Sequence, residues 1–319
     1  MRTIKVKYVD WWQGFRPEDC IINQILKQHY NVVEVDNPDY IIASVYSKDA
    51  INYDCIRIFY TPENFVPDFN LFDYAIGFEN LSYGDRYIRV PNYIMNPKYK
   101  DDIDRMLHKH EKVNMEVKTD FCSYVVSNGE GNHIRTLFFE ELCKYKKVNS
   151  GGRYQNNIGI PEGVSDKYEF QKKHKFSICF ENSSQPGYIT EKLIQGFAAG
   201  TIPIYWGAGN VTDYFNEEAM VIVKGLSDVP NAINKVKMID TDDLLFQKML
   251  TSPAVQNITD IKNYYKLIEK FLINIIEQKE NTARRRPNSA TVNVYYRQEN
   301  QQCKKRSIFP WFGRRGGDF

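Results

Sequence analysis

The sequence predicts an α/β protein of two doubly wound, Rossmann-like domains that face a central cleft. Three observations carry the prediction. Strand-like and helix-like runs alternate from Ile4 to Val90, the order that builds sheets covered by helices. A charged, polar stretch at 98–113 (KYKDDIDRMLHKHEKV) separates this series from a second that starts at Phe121. The chain has 319 residues, too many for one ordinary core. We therefore read an N-terminal domain at 1–115, a C-terminal domain at 116–280 and a tail at 281–319.

In the first series Ile4–Val9 alternates as a strand, Cys20–His29 is helix-like and Asn31–Val35 is a short strand. Tyr40–Val45 and Cys55–Tyr60 are the apolar runs expected of parallel strands, and Tyr74–Phe78 and Tyr87–Val90 follow. In the second series Phe121–Ser127 is a strand, and His133–Tyr145 is a helix with Ile134, Leu137, Phe138 and Leu142 on one face. Val221–Val223 and Leu226–Met238 give a further strand and helix. Asp260–Lys279 carries Ile261, Tyr264, Tyr265, Ile268, Phe271, Leu272, Ile275 and Ile276, an amphipathic helix of about five turns.

Residues 176–207 (FSICFENSSQPGYITEKLIQGFAAGTIPIYWG) say the most. Phe176, Ile178 and Phe180 alternate with Ser177 and Cys179, and Pro186-Gly187 marks a turn. Ile189, Leu193, Ile194 and Phe197 recur at helical spacing. Gly200 stands where a helix C′ residue belongs. The run from Thr201 is the next strand, with Pro203 at its edge or its beginning. One βαβ unit results, with Glu181, Asn182, Tyr188, Thr190, Glu191 and Lys192 at its polar turn. A strand that exits onto a helix N-terminus is where open α/β sheets hold anions. Lys192 in the first helical turn opposes the helix dipole, so a negative group such as phosphate should offset it. A capped, solvated helix start with a Glu-Lys surface pair would also fit these residues.

The segment resembles the donor-binding signature of the α1,3/α1,4-fucosyltransferases at Phe176, Phe180, Glu181, Asn182, Ser183, Tyr188, Thr190, Glu191, Lys192, Gly200, Pro203 and Gly207. Phe59-Tyr-Thr-Pro-Glu-Asn with Phe69-Asn-Leu-Phe-Asp-Tyr-Ala-Ile-Gly-Phe resembles the acceptor-side signature of bacterial members. Val125-Val-Ser-Asn, Gly151-Gly-Arg and Asp10-Trp-Trp are similar to further family segments, so the resemblance runs over roughly residues 1–280. It implies the GT-B architecture and an inverting transfer of L-fucose from GDP-fucose, without a required metal. The implied acceptor is a GlcNAc hydroxyl of an N-acetyllactosamine-type glycan, α1,3 linkage being favoured. A transferase for another nucleotide sugar, or a non-catalytic glycan-binding relative, would share the fold.

Roles follow from residue chemistry and from that resemblance together. Glu63 lies past the strand Ile56–Tyr60 beside a Pro turn, where a partly desolvated carboxylate can serve as acceptor base; the resemblance puts the family's base at this position. Asp73 and Glu79 are the rival carboxylates, Asp73 being the more structural. Arg153 and Lys192 are the candidate diphosphate clamp, with Gly151-Gly152 giving a loop able to close on phosphate. A surface loop arginine is the plainer account of Arg153. Glu191 is placed to stabilise positive charge on the fucose ring. Asn128, Glu181, Asn182 and Tyr188 are expected on the donor, although turn and capping roles would also use them. Trp11 and Trp12 follow the first strand and could stack on the acceptor or form a core pair.

Composition narrows the classes. At 42% hydrophobic and 26% charged the chain is globular, and a net charge of +2 demands no nucleic acid. The six cysteines lack Cys-x-x-Cys spacing, which disfavours a zinc site. The start MRTIKVKYVDWW lacks an apolar stretch of signal-peptide length, so we expect a cytoplasmic protein with reduced thiols. The tail combines Arg284-Arg-Arg-Pro, Lys304-Lys-Arg and Arg314-Arg with Phe309, Trp311 and Phe312. That mixture suits an anionic membrane surface as partner, or a solvated, inert end.

Overall fold

A computed structural model describes residues 1–112, 118–255, 259–287 and 294. The chain forms two compact units, one comprising 1–90, 94–97 and the chain from Ile261 onward, the other 91–93 and 98–260.

The first unit is a six-stranded parallel sheet. Its strands are β1 (Thr3–Val9), β2 (Asn31–Glu34), β3 (Tyr40–Ala43), β4 (Ile56–Tyr60), β5 (Tyr74–Gly77) and β6 (Tyr87–Arg89), in the order β2-β1-β3-β4-β5-β6. Every residue of β3, β4 and β5 is buried, as strands covered on both faces must be. The helix Ile21–His29 contributes Ile21, Ile22, Ile25 and Leu26 to the core.

The long amphipathic helix, Thr259–Glu277, belongs to this unit and not to the C-terminal domain where the sequence placed it. Phe271, Leu272, Ile275 and Ile276 are buried. Phe271 packs edge-on to Tyr74 at 6.0 Å, Tyr40 donates to the Ile276 carbonyl at 3.4 Å, and Tyr30 donates to Glu277 at 2.8 Å. Periodicity identifies the apolar face of such a helix but not the sheet it covers.

The first arginines of the basic tail are likewise part of the unit. Asp73 is wholly buried and accepts the backbone N–H groups of Arg57 (2.8 Å), Arg285 (2.7 Å) and Arg286 (2.8 Å). It also pairs with the Arg286 guanidinium, which donates to the Cys55 carbonyl at 2.9 Å. Asp73 is thus structural, as expected. The remaining tail motifs, Lys304-Lys-Arg through Arg314-Arg with their aromatics, lie outside the described residues.

The second unit is a five-stranded parallel sheet of β7 (Asp120–Tyr124), β8 (Val148–Ser150), β9 (His174–Phe180), β10 (Ile202–Trp206) and β11 (Val221–Ile222), in the order β11-β10-β9-β7-β8. Phe121, Tyr124, Phe138, Phe176, Phe180 and Trp206 build its core. β8 and the helices Lys167–Gln171 and Asp243–Thr251 have no counterpart in the sequence reading. The strand has three residues and the first helix five, too short for a period to register.

Pro203 sits in a strand with neighbours on both sides, so it is not at an edge. Its partner on β9 is Ser177, and β11 joins only from Ile204 onward. The missing N–H therefore falls where the ladder has yet to begin, in keeping with the other expectation. Gly200 has φ +62°, and the N–H groups of Gly200 and Thr201 return to the carbonyls of Phe197 (2.9 Å) and Gly196 (3.2 Å). This is a Schellman closure of the helix Glu191–Ala198. Among the described residues, no helix is long and apolar enough to cross a membrane.

Candidate active site

Each sheet has one point where successive connections turn in opposite directions, and a crevice at the strand C-termini results there. In the second unit it lies between β7 and β9. The chain leaving β7 carries Val125 to Asn128, and the chain leaving β9 carries Glu181 and Asn182.

Glu181 is completely buried. One carboxylate oxygen accepts the Thr190 N–H at 2.7 Å, and the other accepts the Thr190 hydroxyl at 2.7 Å and Lys192 Nζ at 3.4 Å. Thr190 in turn caps the helix Glu191–Ala198. Burial pushes the Glu181 carboxyl up while Lys192 opposes it. Both Glu181 oxygens are engaged below the surface, so the carboxylate supports the helix start that carries Glu191. Lys192 is flanked by two of the chain's own carboxylates. Its ammonium lies 3.4 Å from Glu181 and 3.4 Å from Glu191, so carboxylates of the chain already supply negative charge there. Burial lowers the Lys192 ammonium, and Glu191 and Glu181 together raise it above the ordinary value.

Glu191 is half-buried, at 27% side-chain exposure against 0% for Glu181. Burial pushes its carboxyl up, but Lys192 and Lys167 outweigh that and hold it at about 2. It is therefore a carboxylate at any working pH. Lys167 was not singled out by the sequence. It donates to Gln195 at 2.7 Å, and Gln195 donates to Asp102 at 3.1 Å, one helical turn beyond Glu191.

Arg135 is the other residue that the sequence reading missed. It is 3% exposed, and its guanidinium donates to the Asn182 side chain at 2.8 Å and to the Asn128 carbonyl at 3.2 Å. It therefore ties the two strand exits together and adds a cation near Lys192. Asn128 is exposed, and its side chain accepts the Glu130 N–H at 2.9 Å. The Asn182 carbonyl accepts the Asn132 N–H at 2.9 Å.

Arg153 is exposed on a loop bound to the same strand exit, for the N–H of Gly151 donates to Tyr124 and that of Tyr154 to Val126. A Cβ on Gly152 would stand 2.0 Å from the Val126 carbonyl oxygen. Gly152 thus answers a close backbone approach, not the flexibility expected of the pair. Tyr188 is only 3% exposed, and its backbone carbonyl lies 3.5 Å from the Tyr205 hydroxyl. Its ring belongs more to the packing beneath the turn than to an open surface.

In the first unit the corresponding point lies between β1 and β3. A cleft of about 640 Å³ opens there, with Asp10, Trp11, Trp12, Phe15, Ser47 and Tyr53 in its lining. Trp11 stacks on Phe15 with ring centroids 3.8 Å apart and donates to the Ile42 carbonyl at 2.9 Å. Trp12 meets Phe15 and Tyr46 edge-on at 5.1 Å and 5.6 Å. Both tryptophans are half-buried, so they line the cleft and also pack on one another.

Glu63 follows β4 and is half-buried. The Tyr46 hydroxyl donates to its Oε1 at 2.6 Å, and its own N–H donates to Thr61. The rivals are both sealed in. Asp73 is held as described above, and Glu79, 5% exposed and pushed up by burial, accepts the Tyr87 hydroxyl at 3.2 Å.

Known proteins resemble this chain in sequence and fold. The alpha-(1,3)-fucosyltransferase FucT of Helicobacter pylori is 31% identical over 310 residues, which cover 82% of this chain and 62% of that protein. The chain thus spans less than two thirds of that relative's length. A crystal structure of an alpha1,3-fucosyltransferase superposes with a TM-score of 0.75 at 28% identity, covering 87% of this chain and 91% of the other. Its complex with GDP-fucose gives 0.74, with 88% and 92% covered. The GT-B class expected for the two sheets is the class of these structures. Residues 6–96 match the alpha-(1,3)-fucosyltransferase FucT N-terminal domain, and residues 115–300 match the glycosyltransferase family 10 (fucosyltransferase) C-terminal region. With the switch-point carboxylates and cations in place and both regions matched in order, the chain belongs to glycosyltransferase family 10, the fucosyltransferases.

Proposed function

We propose that the protein transfers L-fucose from GDP-fucose to a GlcNAc hydroxyl of an N-acetyllactosamine-type glycan, with inversion and with α1,3 linkage favoured. The observation that carries this reading is the ionised Glu191 beside Lys192 at a capped helix start, braced from below by the buried Glu181. A fixed anion next to a fixed cation suits a reaction that separates a positive sugar ring from a negative diphosphate. The likeness to a structure solved with GDP-fucose supports the choice of donor.

In this reading Glu63 removes the proton from the acceptor hydroxyl. The freed oxygen attacks the anomeric carbon of fucose from the face opposite the diphosphate. The bond from that carbon to the phosphate oxygen breaks, and GDP leaves with the electron pair. Lys192, Arg153 and the helix N-terminus take up its charge. Glu191 faces the charge that develops on the ring. Asn128 and Asn182, fixed by Arg135, position the donor together with the turn at Tyr188. The cleft wall at Trp11 and Trp12 receives the acceptor sugar.

GDP release from GDP-fucose, measured with and without N-acetyllactosamine in the presence of EDTA, tests the whole reading. Release that requires the acceptor and survives EDTA is expected. An absence of release despite bound GDP, followed by turnover with another nucleotide sugar, would replace the donor.

A further inference from the structure

Asp10-Trp-Trp and Glu63 enter the reading above as separate motifs, yet one side chain connects them. Tyr46 leaves β3 at the switch point of the first sheet. Its N–H donates to the Asp10 carbonyl at 2.8 Å. The Asp10 side chain is 6% exposed and accepts the Ser47 hydroxyl, the Asp49 N–H at 2.6 Å and the Ala50 N–H at 3.0 Å. Asp10 therefore fixes the segment 46–50 from both its backbone and its side chain. Trp12 sets its ring edge-on to the Tyr46 ring at 5.6 Å. The Tyr46 hydroxyl then reaches Glu63 Oε1 at 2.6 Å.

We propose that Tyr46 is a positioning residue for the acceptor base, fixing Glu63 through Oε1 so that Oε2 is presented to the incoming hydroxyl. The inference rests on the reading of Glu63 as base. The hydroxyl can act only as donor to a carboxylate, because burial and the Glu63 charge push its ionisation well above the ordinary tyrosine value. The hydrogen bond to Oε1 therefore restricts rotation of the Glu63 carboxylate. The other charged groups on the 46–50 segment are Lys48, which is exposed, and Asp49, and Asp10 packs against the segment. Burial raises Asp10, and its three donors oppose that rise. Asp49 accepts the Ser47 hydroxyl at 3.1 Å. Asp10 is thus held by the segment's own donors.

The test is the split of kcat against KM for the acceptor at saturating GDP-fucose. Tyr46→Phe keeps the ring against Trp12 and removes the donor. We expect kcat to fall about tenfold, with KM for the acceptor and for GDP-fucose unchanged. Site-specific 4-fluorophenylalanine at position 46 fills the same space without donating and should repeat the loss, and it serves if Tyr46→Phe does not fold. In a Glu63→Gln background Tyr46→Phe should add nothing. An unchanged kcat in both Tyr46 variants, with Glu63→Gln inactive but binding GDP, overturns the inference and leaves the base in place. Full transfer by Glu63→Gln overturns the base assignment and this inference with it.

Discussion

Glu181 and Lys192 show how one residue can be mistaken for its neighbour when only the sequence is read. Both lie in the donor signature, and both carry charges suited to a nucleotide sugar. Burial separates them, since Glu181 has no exposed surface and Lys192 keeps 19% of its side chain accessible. Lys192→Ala should therefore weaken GDP-fucose binding about tenfold or more, read by titration calorimetry. Glu181→Ala should behave in the opposite order. It leaves the Thr190 N–H and hydroxyl unpaired and should cost about 1–3 kcal/mol for each orphaned group, seen as a lower urea midpoint before any kinetic effect is considered. Arg135 escaped notice because it sits inside an apolar helical run, IRTLFF, and nothing in that run marks its reach to Asn128 and Asn182. The signal is three-dimensional, as it is for Lys167, which meets Gln195 from another helix.

Among elements, the helix Glu191–Ala198 was the most legible, because its cap, its apolar period and its terminal glycine agree. Gly200 closes it at φ +62°, and a Cβ there would find its nearest neighbour, Lys118 Nζ, at an ordinary 3.7 Å. Gly200→Ala should thus cost only the backbone strain, about 1–2 kcal/mol, measurable by chemical denaturation. A loss several times larger would mean that the helix end is held by more than its turn. The helix Thr259–Glu277 was legible in its length and face but not in its destination. Period reports which side is apolar, whereas the partner sheet is chosen by loops and by contacts such as Tyr74 with Phe271 that no local pattern encodes.

For the molecule as a whole, two buried cations set expectations for stability. Lys109 is 3% exposed, donates to the Leu250 carbonyl at 2.9 Å and is pushed down to about 7, chiefly by burial and then by Lys118. Unfolded, it holds its proton to above pH 10. Between pH 7 and pH 10 the unfolded chain therefore binds more protons, and stability rises with pH by up to about 1.4 kcal/mol per unit from this group. Urea titrations at pH 7 and pH 9 should show the rise, and Lys109→Met should reduce it, the remainder coming from Lys118, which burial also pushes down to about 7. The pair Asp73–Arg286 is the second case, with side chains 0% and 8% exposed. Asp73→Ala strands a buried guanidinium and should cost about 3–5 kcal/mol, read as a lowered thermal midpoint. The first residues from 281 onward are tied to the preceding sheet through Asp73 and the Cys55 carbonyl.

That closure also fixes an order of assembly during synthesis. Small domains ordinarily fold as they leave the ribosome, the earlier one first. Here the sheet encoded first lacks its covering helix and the guanidinium for Asp73 until Arg286 has been translated, whereas the unit that ends at Asp260 has all of its parts sooner. The later-encoded half should mature first, and β3, β4 and β5 must wait, with their apolar face uncovered, for the chain to return.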